Sequence, residues 1–240
     1  MSRQQKRLEE RKASKLLKTI QKMNSLLYPH QSEPMEDIMN SDRGKIIYPT
    51  GTGKTYMQAA TISLDILHNP IDVKCSLDTS RVYIIQVPRI LLSYQILNEN
   101  YKFFNKFGIP AKYLVVHSGT AVDDGKLLKS KNFNMPWVPI DVTTDKEVIK
   151  ENIIKAQQMG AGARPLVIVQ TYHSADKTFD VLDEMNIVAR IVQNDECQYL
   201  VSKEFSHLLK VPCEKMFSYT ATQKNAHHIG MENEELWGKT

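Results

Sequence analysis

A turn of small and basic residues, Thr50-Gly51-Thr52-Gly53-Lys54-Thr55, follows the apolar pair Ile46-Ile47. These residue types suit the holding of phosphate. Two glycines permit backbone angles and a close approach that a Cβ blocks. Successive backbone N–H groups of Thr50, Gly51, Thr52 and Gly53 then face inward at the start of the next helix, where the helix dipole favours an anion. Lys54 is placed to reach the β- and γ-phosphates of a nucleotide, and the Thr55 hydroxyl to ligate Mg²⁺. The pattern GxxxxGK[ST] asks for glycine at position 48, where this chain has Tyr48. A glycine-rich turn without a ligand is the alternative. The apolar strand before the turn and the helical pattern after it supply the context that a phosphate loop requires.

A second candidate group is Asp195-Glu196-Cys197-Gln198, at the end of an apolar run. One carboxylate there can hold Mg²⁺ through water, and its neighbour can orient or deprotonate an attacking water. Acids commonly begin loops, so the pair is weak by itself. It gains weight beside the phosphate turn, because a nucleotide hydrolase needs both. Parallel neighbouring strands would set the two side by side. A further apolar run ends in Thr220-Ala221-Thr222, which equally suits a strand leaving the core on small polar residues.

Something must position these groups. Apolar runs at 45–49, 82–88, 111–116, 166–172, 188–194 and 214–220 are continuous rather than alternating, as in strands buried on both faces. Helical patterns separate them at 54–67, 90–105, 145–158, 176–185 and 199–209. The alternation predicts an α/β fold, a doubly wound, mainly parallel sheet with helices on both faces. Ligands in such sheets bind beyond the carboxyl ends of the strands. The stretches 119–137 and 159–165 read as loops.

The 240 residues, 42% hydrophobic and 24% charged, are ample for a buried core in one large domain or two small ones. No apolar run approaches the ~18 residues of a membrane span. The start, MSRQQKRLEERK, has no apolar stretch of the secretory kind, and Glu9 and Glu10 argue against a mitochondrial presequence. Cys75, Cys197 and Cys213 form neither a disulfide framework nor a zinc motif, which fits a reducing, intracellular compartment. Charge is uneven. Residues 2–27 carry eight Lys/Arg against two Glu, within a chain of net charge +4, so the basicity belongs to the N-terminal segment. Leu16, Ile20, Met23 and Leu27 recur at helical spacing, predicting a basic amphipathic helix over 1–27 ahead of a domain over 28–240. That helix is either docked and solvated on its outer face or a nucleic-acid arm. His227-His228 has no further metal ligands nearby. Trp137 and Trp237 read as packing anchors, with base stacking an alternative for Trp137.

Lys54-Thr55, DECQ and TAT together resemble motifs I, II and III of the superfamily-two helicases and translocases, over roughly residues 26–240. Val87-Pro88-Arg89 looks like motif Ia. Thr171-Tyr172-His173-Ser174 resembles the TYxS element of restriction-enzyme motor subunits and similar DNA translocases. Leu27-Tyr28-Pro29-His30-Gln31 looks like the adenine-reading Q-motif, in which Gln31 offers the adenine edge a donor and an acceptor; a surface residue in a turn is the plainer reading. The resemblance implies a RecA-like P-loop domain binding ATP and Mg²⁺ through Gln31, Thr50 to Thr55 and Asp195. Lys54, Asp195 and Glu196 would be its catalytic group. Arg89, Thr171 and Ser174 would grip a nucleic-acid strand, and Gln198, Thr220 and Thr222 would serve coupling. Gln198 stands where His or Asp is commoner, and the PTRELA and TPGR elements of RNA helicases are absent, which favours DNA over RNA. In the family a second RecA-like domain, with motifs IV–VI and an arginine finger, completes the motor, and none is seen before Thr240. The expectation is an ATP-binding motor domain whose hydrolysis needs that second domain in cis or in trans. The alternatives are a non-motor nucleotide-sensing or nucleic-acid-binding module derived from such a domain, or another P-loop enzyme such as a kinase.

Overall fold

The computed structural model describes residues 3–69, 81–119, 140–157, 164–224 and 230–240. Its strands are β1 (Arg43–Ile47), β2 (Val82–Val87), β3 (Lys112–Val116), β4 (Asp141–Thr143), β5 (Leu166–Thr171), β6 (Ala189–Asp195) and β7 (Cys213–Thr220). They form one sheet in the order β1-β7-β6-β2-β5-β3-β4, and each described pairing is parallel. The helices are α1 (Arg3–Asn24), α2 (Pro29–Asn40), α3 (Lys54–His68), α4 (Ile90–Phe107), α5 (Lys146–Gln157), α6 (Ala175–Glu184) and the single turn α7 (Glu234–Trp237).

The continuous apolar runs have a direct cause. Tyr83, Ile85, Val87, Val167 and Val169 join a core with residues of α2, α3 and α4, while Val82, Ile84, Leu166 and Ile168 join a second core with residues of α5 and α6. A strand covered on both sides needs apolar residues at every position. Met23 of α1 and Leu27 after it lie in the first core with Met57 and Ile62 of α3, so the C-terminal part of α1 is docked. At the amino edge of the sheet, the Asp65 carboxylate near the end of α3 accepts from Arg190 Nε at 3.0 Å and Nη2 at 2.9 Å, and from the Tyr83 hydroxyl at 2.8 Å. This ties the far end of α3 to β6 and β2. The near end of α3 is thereby held in register with the carboxyl edge, where the phosphate turn sits.

Four points of the sequence reading need correction. The stretch 199–209 is not one α-helix but two 3₁₀ segments, Cys197–Val201 and Ser206–Lys210. Leu200, Val201, Leu208 and Leu209 are buried as a helical pattern demands, but Ser202 is extended (φ −69°, ψ 152°) and breaks the run. The residues 29–40 form a helix that the sequence reading did not anticipate, despite Pro34 inside it. The three-residue edge strand β4 was also missed, being too short to show a pattern. At the first strand, pairing runs over 43–47 rather than 45–49, and Pro49 has no N–H to continue it. Among the described residues no helix is long and apolar enough to cross a membrane.

Candidate active site

Read along the carboxyl edge, the strand order sets the candidate groups in a row: the phosphate turn after β1, Thr220 ending β7, Asp195 ending β6, Arg89 just after β2 and Thr171 ending β5. The expectation that the strands before the phosphate turn and the DECQ run are neighbours is corrected here. β7 runs between them, so Thr220 is interposed between the phosphate turn and the DECQ loop. Sequence order cannot reveal this, because β7 is the last strand of the chain.

In the turn, Gly51 and Gly53 adopt φ of 81° and 82°, the left-handed region that favours glycine. Thr50 and Gly51 are exposed; Thr52 and Thr55 are half-buried. The Lys54 ammonium lies across the inside of the loop and donates to the Tyr48 and Pro49 carbonyls at 3.0 and 3.3 Å. The Thr52 hydroxyl closes the loop on the Pro49 carbonyl at 2.7 Å.

Gln31 is 2% exposed, in the first turn of α2, and not a surface residue. Its Nε2 donates to the Thr52 carbonyl at 2.7 Å, and its Oε1 accepts from the Tyr28 N–H at 2.9 Å, the reach-back half of a capping box. A Cβ on Gly53 would stand 2.3 Å from Gln31 Nε2. Gln31 thus holds the phosphate turn from behind. Tyr48, the departure from the phosphate-loop pattern, has a reason in the same place. Pro34 has no N–H to give the His30 carbonyl four residues before it. The Tyr48 hydroxyl donates to that carbonyl instead, at 2.6 Å. The His30 ring reaches the Thr52 carbonyl at 3.2 Å and stacks on Tyr28, centroids 5.7 Å apart. Tyr28 itself is 67% exposed beside the turn.

Asp195 is 7% exposed, and its Oδ1 accepts from Gln58 Nε2 at 2.9 Å. Burial pushes its carboxyl up to about 6, with Glu196 adding to the rise and the Gln58 hydrogen bond and the Lys54 charge opposing it. Glu196 sits at φ 50°, ψ 47°. Its carboxylate accepts from Gln198 Nε2 at 2.8 Å, the Gln198 Oε1 accepts from the Thr220 hydroxyl at 2.5 Å, and the Thr220 oxygen accepts from the Thr222 N–H at 3.0 Å. The structure therefore joins Glu196, Gln198, Thr220 and Thr222 in one relay between the ends of β6 and β7. Glutamine at 198 can give to one side and take from the other, which is what the relay uses.

Arg89 is exposed at the end of β2. Thr171 and Ser174 are nearly covered, at 4% and 2% exposure. Between them, Tyr172 donates from its hydroxyl to the Asp195 main-chain carbonyl at 2.6 Å. Cys197 is buried, and burial raises its thiol far above the ordinary range, so it is no nucleophile. Trp237 is 2% exposed in the second core, as a packing anchor would be. Trp137, His227, His228, Cys75, most of 119–137 and residues 159–163 lie outside the described residues. Sequence reasoning missed Gln58, Tyr48 and the Tyr172 contact. Only Gln58 carried a local signal: it lies four residues after Lys54, on the same face of α3.

The family model described as "Type III restriction enzyme, res subunit" matches residues 5–225. The chain belongs to that family. Its fold is RecA-like, and it is a first RecA-like domain of the superfamily-two helicases and translocases, of the restriction-enzyme motor type. A nuclease-deletion mutant of the type ISP restriction-modification enzyme LlaGI, solved with a DNA substrate mimic, is 20% identical at a TM-score of 0.63, covering 89% of this chain and 19% of that one. The ATP-dependent type ISP enzyme LlaBIII bound to DNA is 19% identical at a TM-score of 0.65, covering 89% and 14%. The UvsW helicase from bacteriophage T4 is 16% identical at a TM-score of 0.52, covering 89% and 58%. The chain thus spans less than two thirds of each of these proteins. No curated protein sequence matches it.

Proposed function

We propose that this chain binds Mg·ATP at the carboxyl edge and grips a DNA strand beside it, as the first motor domain of a helicase or translocase. The observation that carries the reading is the row of strand ends β1, β7 and β6, which brings the Lys54 turn, Thr220 and Asp195-Glu196 to the same edge of three consecutive strands. A triphosphate entering the turn would take over the Lys54 hydrogen bonds now given to the Tyr48 and Pro49 carbonyls. The Thr55 hydroxyl and Asp195 carboxylate are hard oxygen donors of the kind Mg²⁺ accepts together with phosphate and water. Beside Asp195, Gln58 Oε1 is buried without a hydrogen-bond partner, which fits a donor such as metal-bound water arriving with the ligand. The ion, when bound, neutralises phosphate charge. Glu196, held by Gln198, orients the attacking water, and Gln31 fixes the turn.

Arg89 supplies charge to a strand's phosphates, and Thr171 and Ser174 position that contact, whose backbone character gives no base specificity. DNA is favoured over RNA because LlaGI and LlaBIII were solved with a DNA substrate mimic and with DNA. The basic helix α1, Arg3–Asn24 rather than the whole of 1–27, precedes the ATP-binding unit 28–240, and a second RecA-like domain, in cis or in trans, supplies the arginine. The free thiols of Cys197 and Cys213 are in keeping with an intracellular setting. Isothermal calorimetry tests the site: Lys54→Ala is expected to abolish Mg·ATP binding while the thermal transition stays cooperative. Unchanged affinity would remove the site.

A further inference from the structure

Tyr172 stands between two loops that the proposed function treats separately. It belongs to the Thr171–Ser174 element at the end of β5, yet its hydroxyl holds the main-chain carbonyl of Asp195 at the end of β6. These strands are not neighbours, since β2, which leads to Arg89, runs between them. The phenol is 2% exposed and packs against Phe205, ring centroids 5.7 Å apart.

The carbonyl it holds leads directly into Glu196, which sits at a positive φ that a long L side chain seldom takes. Fixing that peptide plane fixes the backbone from which the Glu196 side chain departs toward Gln198 and the relay to Thr220. A second connection runs through the sheet interior. Gln170 of β5 donates to Gln86 of β2 at 3.4 Å, Gln86 to Asn194 of β6 at 2.9 Å, and Asn194 to Ser218 of β7 at 3.1 Å. All four are essentially unexposed. Gln170 immediately precedes Thr171 and Asn194 immediately precedes Asp195. Four polar side chains at the ends of four buried strands carry a desolvation cost that apolar residues would avoid. They link the two loops at the same level of the sheet.

We propose that Tyr172 is a positioning residue that transmits strand engagement at Arg89 and Thr171–Ser174 to the Asp195-Glu196 peptide. The inference rests on the proposed function and adds to it the physical link between its two sites. The test uses the 240-residue chain, a single-stranded oligothymidylate and the non-hydrolysable Mg·AMP-PNP. Each ligand's affinity is measured with and without the other, in wild type and Tyr172→Phe. In wild type the two ligands should tighten each other by one common factor, about fivefold or more, and in Tyr172→Phe each separate affinity should stay within about twofold while that factor falls to near one. Equal coupling in the two proteins overturns the inference, as does a variant that loses thermal stability alone. Should Tyr172→Phe fail to fold, amide exchange in wild type decides. Oligothymidylate alone should slow exchange at residues 195–198, and no change there overturns the link. Wild type that binds both ligands without mutual effect removes this inference only; wild type that binds neither removes the proposed function as well.

Discussion

Asp195 is the buried carboxyl of the proposed nucleotide site. Its titration near 6 lies above the ordinary value of about 3.9 because burial penalises the charged form. The folded protein therefore holds this proton through a window in which the unfolded chain has already released it. Stability from this group falls as pH rises from about 4 to 6, and the deficit persists above that, on the order of 3 kcal/mol. Metal and phosphate binding need the opposite state, the ionised one. Wild-type Mg·nucleotide affinity is expected to weaken by about tenfold per pH unit below about 6 and to level off above it. Asp195→Asn keeps an acceptor for Gln58 and removes the charge. At pH 7 it should raise the midpoint of thermal unfolding by several degrees while weakening Mg·nucleotide binding at least about tenfold, with the pH step gone. Calorimetry from pH 5 to 8 reads both effects. A variant that is less stable than wild type at pH 7 would show that the carboxylate is stabilised, not strained, in its pocket.

At the level of elements, α2 and the phosphate turn act as one unit. Gln31 gives to Thr52 and takes from Tyr28, while Tyr48 reaches back to the His30 carbonyl that Pro34 leaves without its helical donor. Two readings of Gln31 then predict different outcomes for Gln31→Ala. If its main work is holding the turn, ATP and GTP affinities fall together, by about tenfold for the one to two hydrogen bonds lost. If its amide reads adenine, ATP affinity falls and GTP affinity does not. The commitment of both amide ends to the protein favours the first result. Parallel titrations of the two nucleotides against wild type and variant separate the cases, and a selective loss of ATP would return Gln31 to base recognition.

For the molecule as a whole, the placement of arginine is decisive. Arg43 is the first residue of β1 and Arg190 the second of β6, and Arg81 and Arg164 just precede β2 and β5, so all four lie at the amino edge of the sheet. The phosphate turn is at the carboxyl edge, where the described arginine is Arg89, beyond β2 and three strands from β1. If the proposed site is right, these five arginines leave the transferring phosphoryl group without the cation that in related systems contributes about 10³–10⁵ in rate. The 240-residue chain is expected to hydrolyse ATP well below ~1 s⁻¹, the low end of ordinary enzymes. Glu196→Gln should reduce the residual rate and leave nucleotide affinity unchanged. Turnover at ~1 s⁻¹ or above in the purified chain would mean that an arginine of this chain, Arg3, Arg7 and Arg11 of α1 included, or one from a second copy, reaches the phosphates.

The parts legible in the sequence are those set by neighbouring residues. Gly51 and Gly53 announce a left-handed turn because only glycine enters that region without strain, and Lys54-Thr55 opens a helix wherever such a turn follows a strand. Six of the seven strands are legible because burial on two faces imposes an unbroken apolar run, a demand each strand records in its own residues. The DECQ and TAT elements are legible for the same reason, as polar residues at the limits of such runs. What tertiary structure decided is which ends meet. β7 enters between β1 and β6, the two halves of 199–209 bend at Ser202, and 29–40 folds as a helix in which Tyr48 supplies the donor that Pro34 lacks. Gln58 with Asp195, Tyr172 with Asp195 and Gln86 with Asn194 are pairs 137, 23 and 108 residues apart. A hydrogen bond across such a separation leaves no periodicity in the chain, because it is fixed by strand order, and strand order is settled only when both faces of the sheet close.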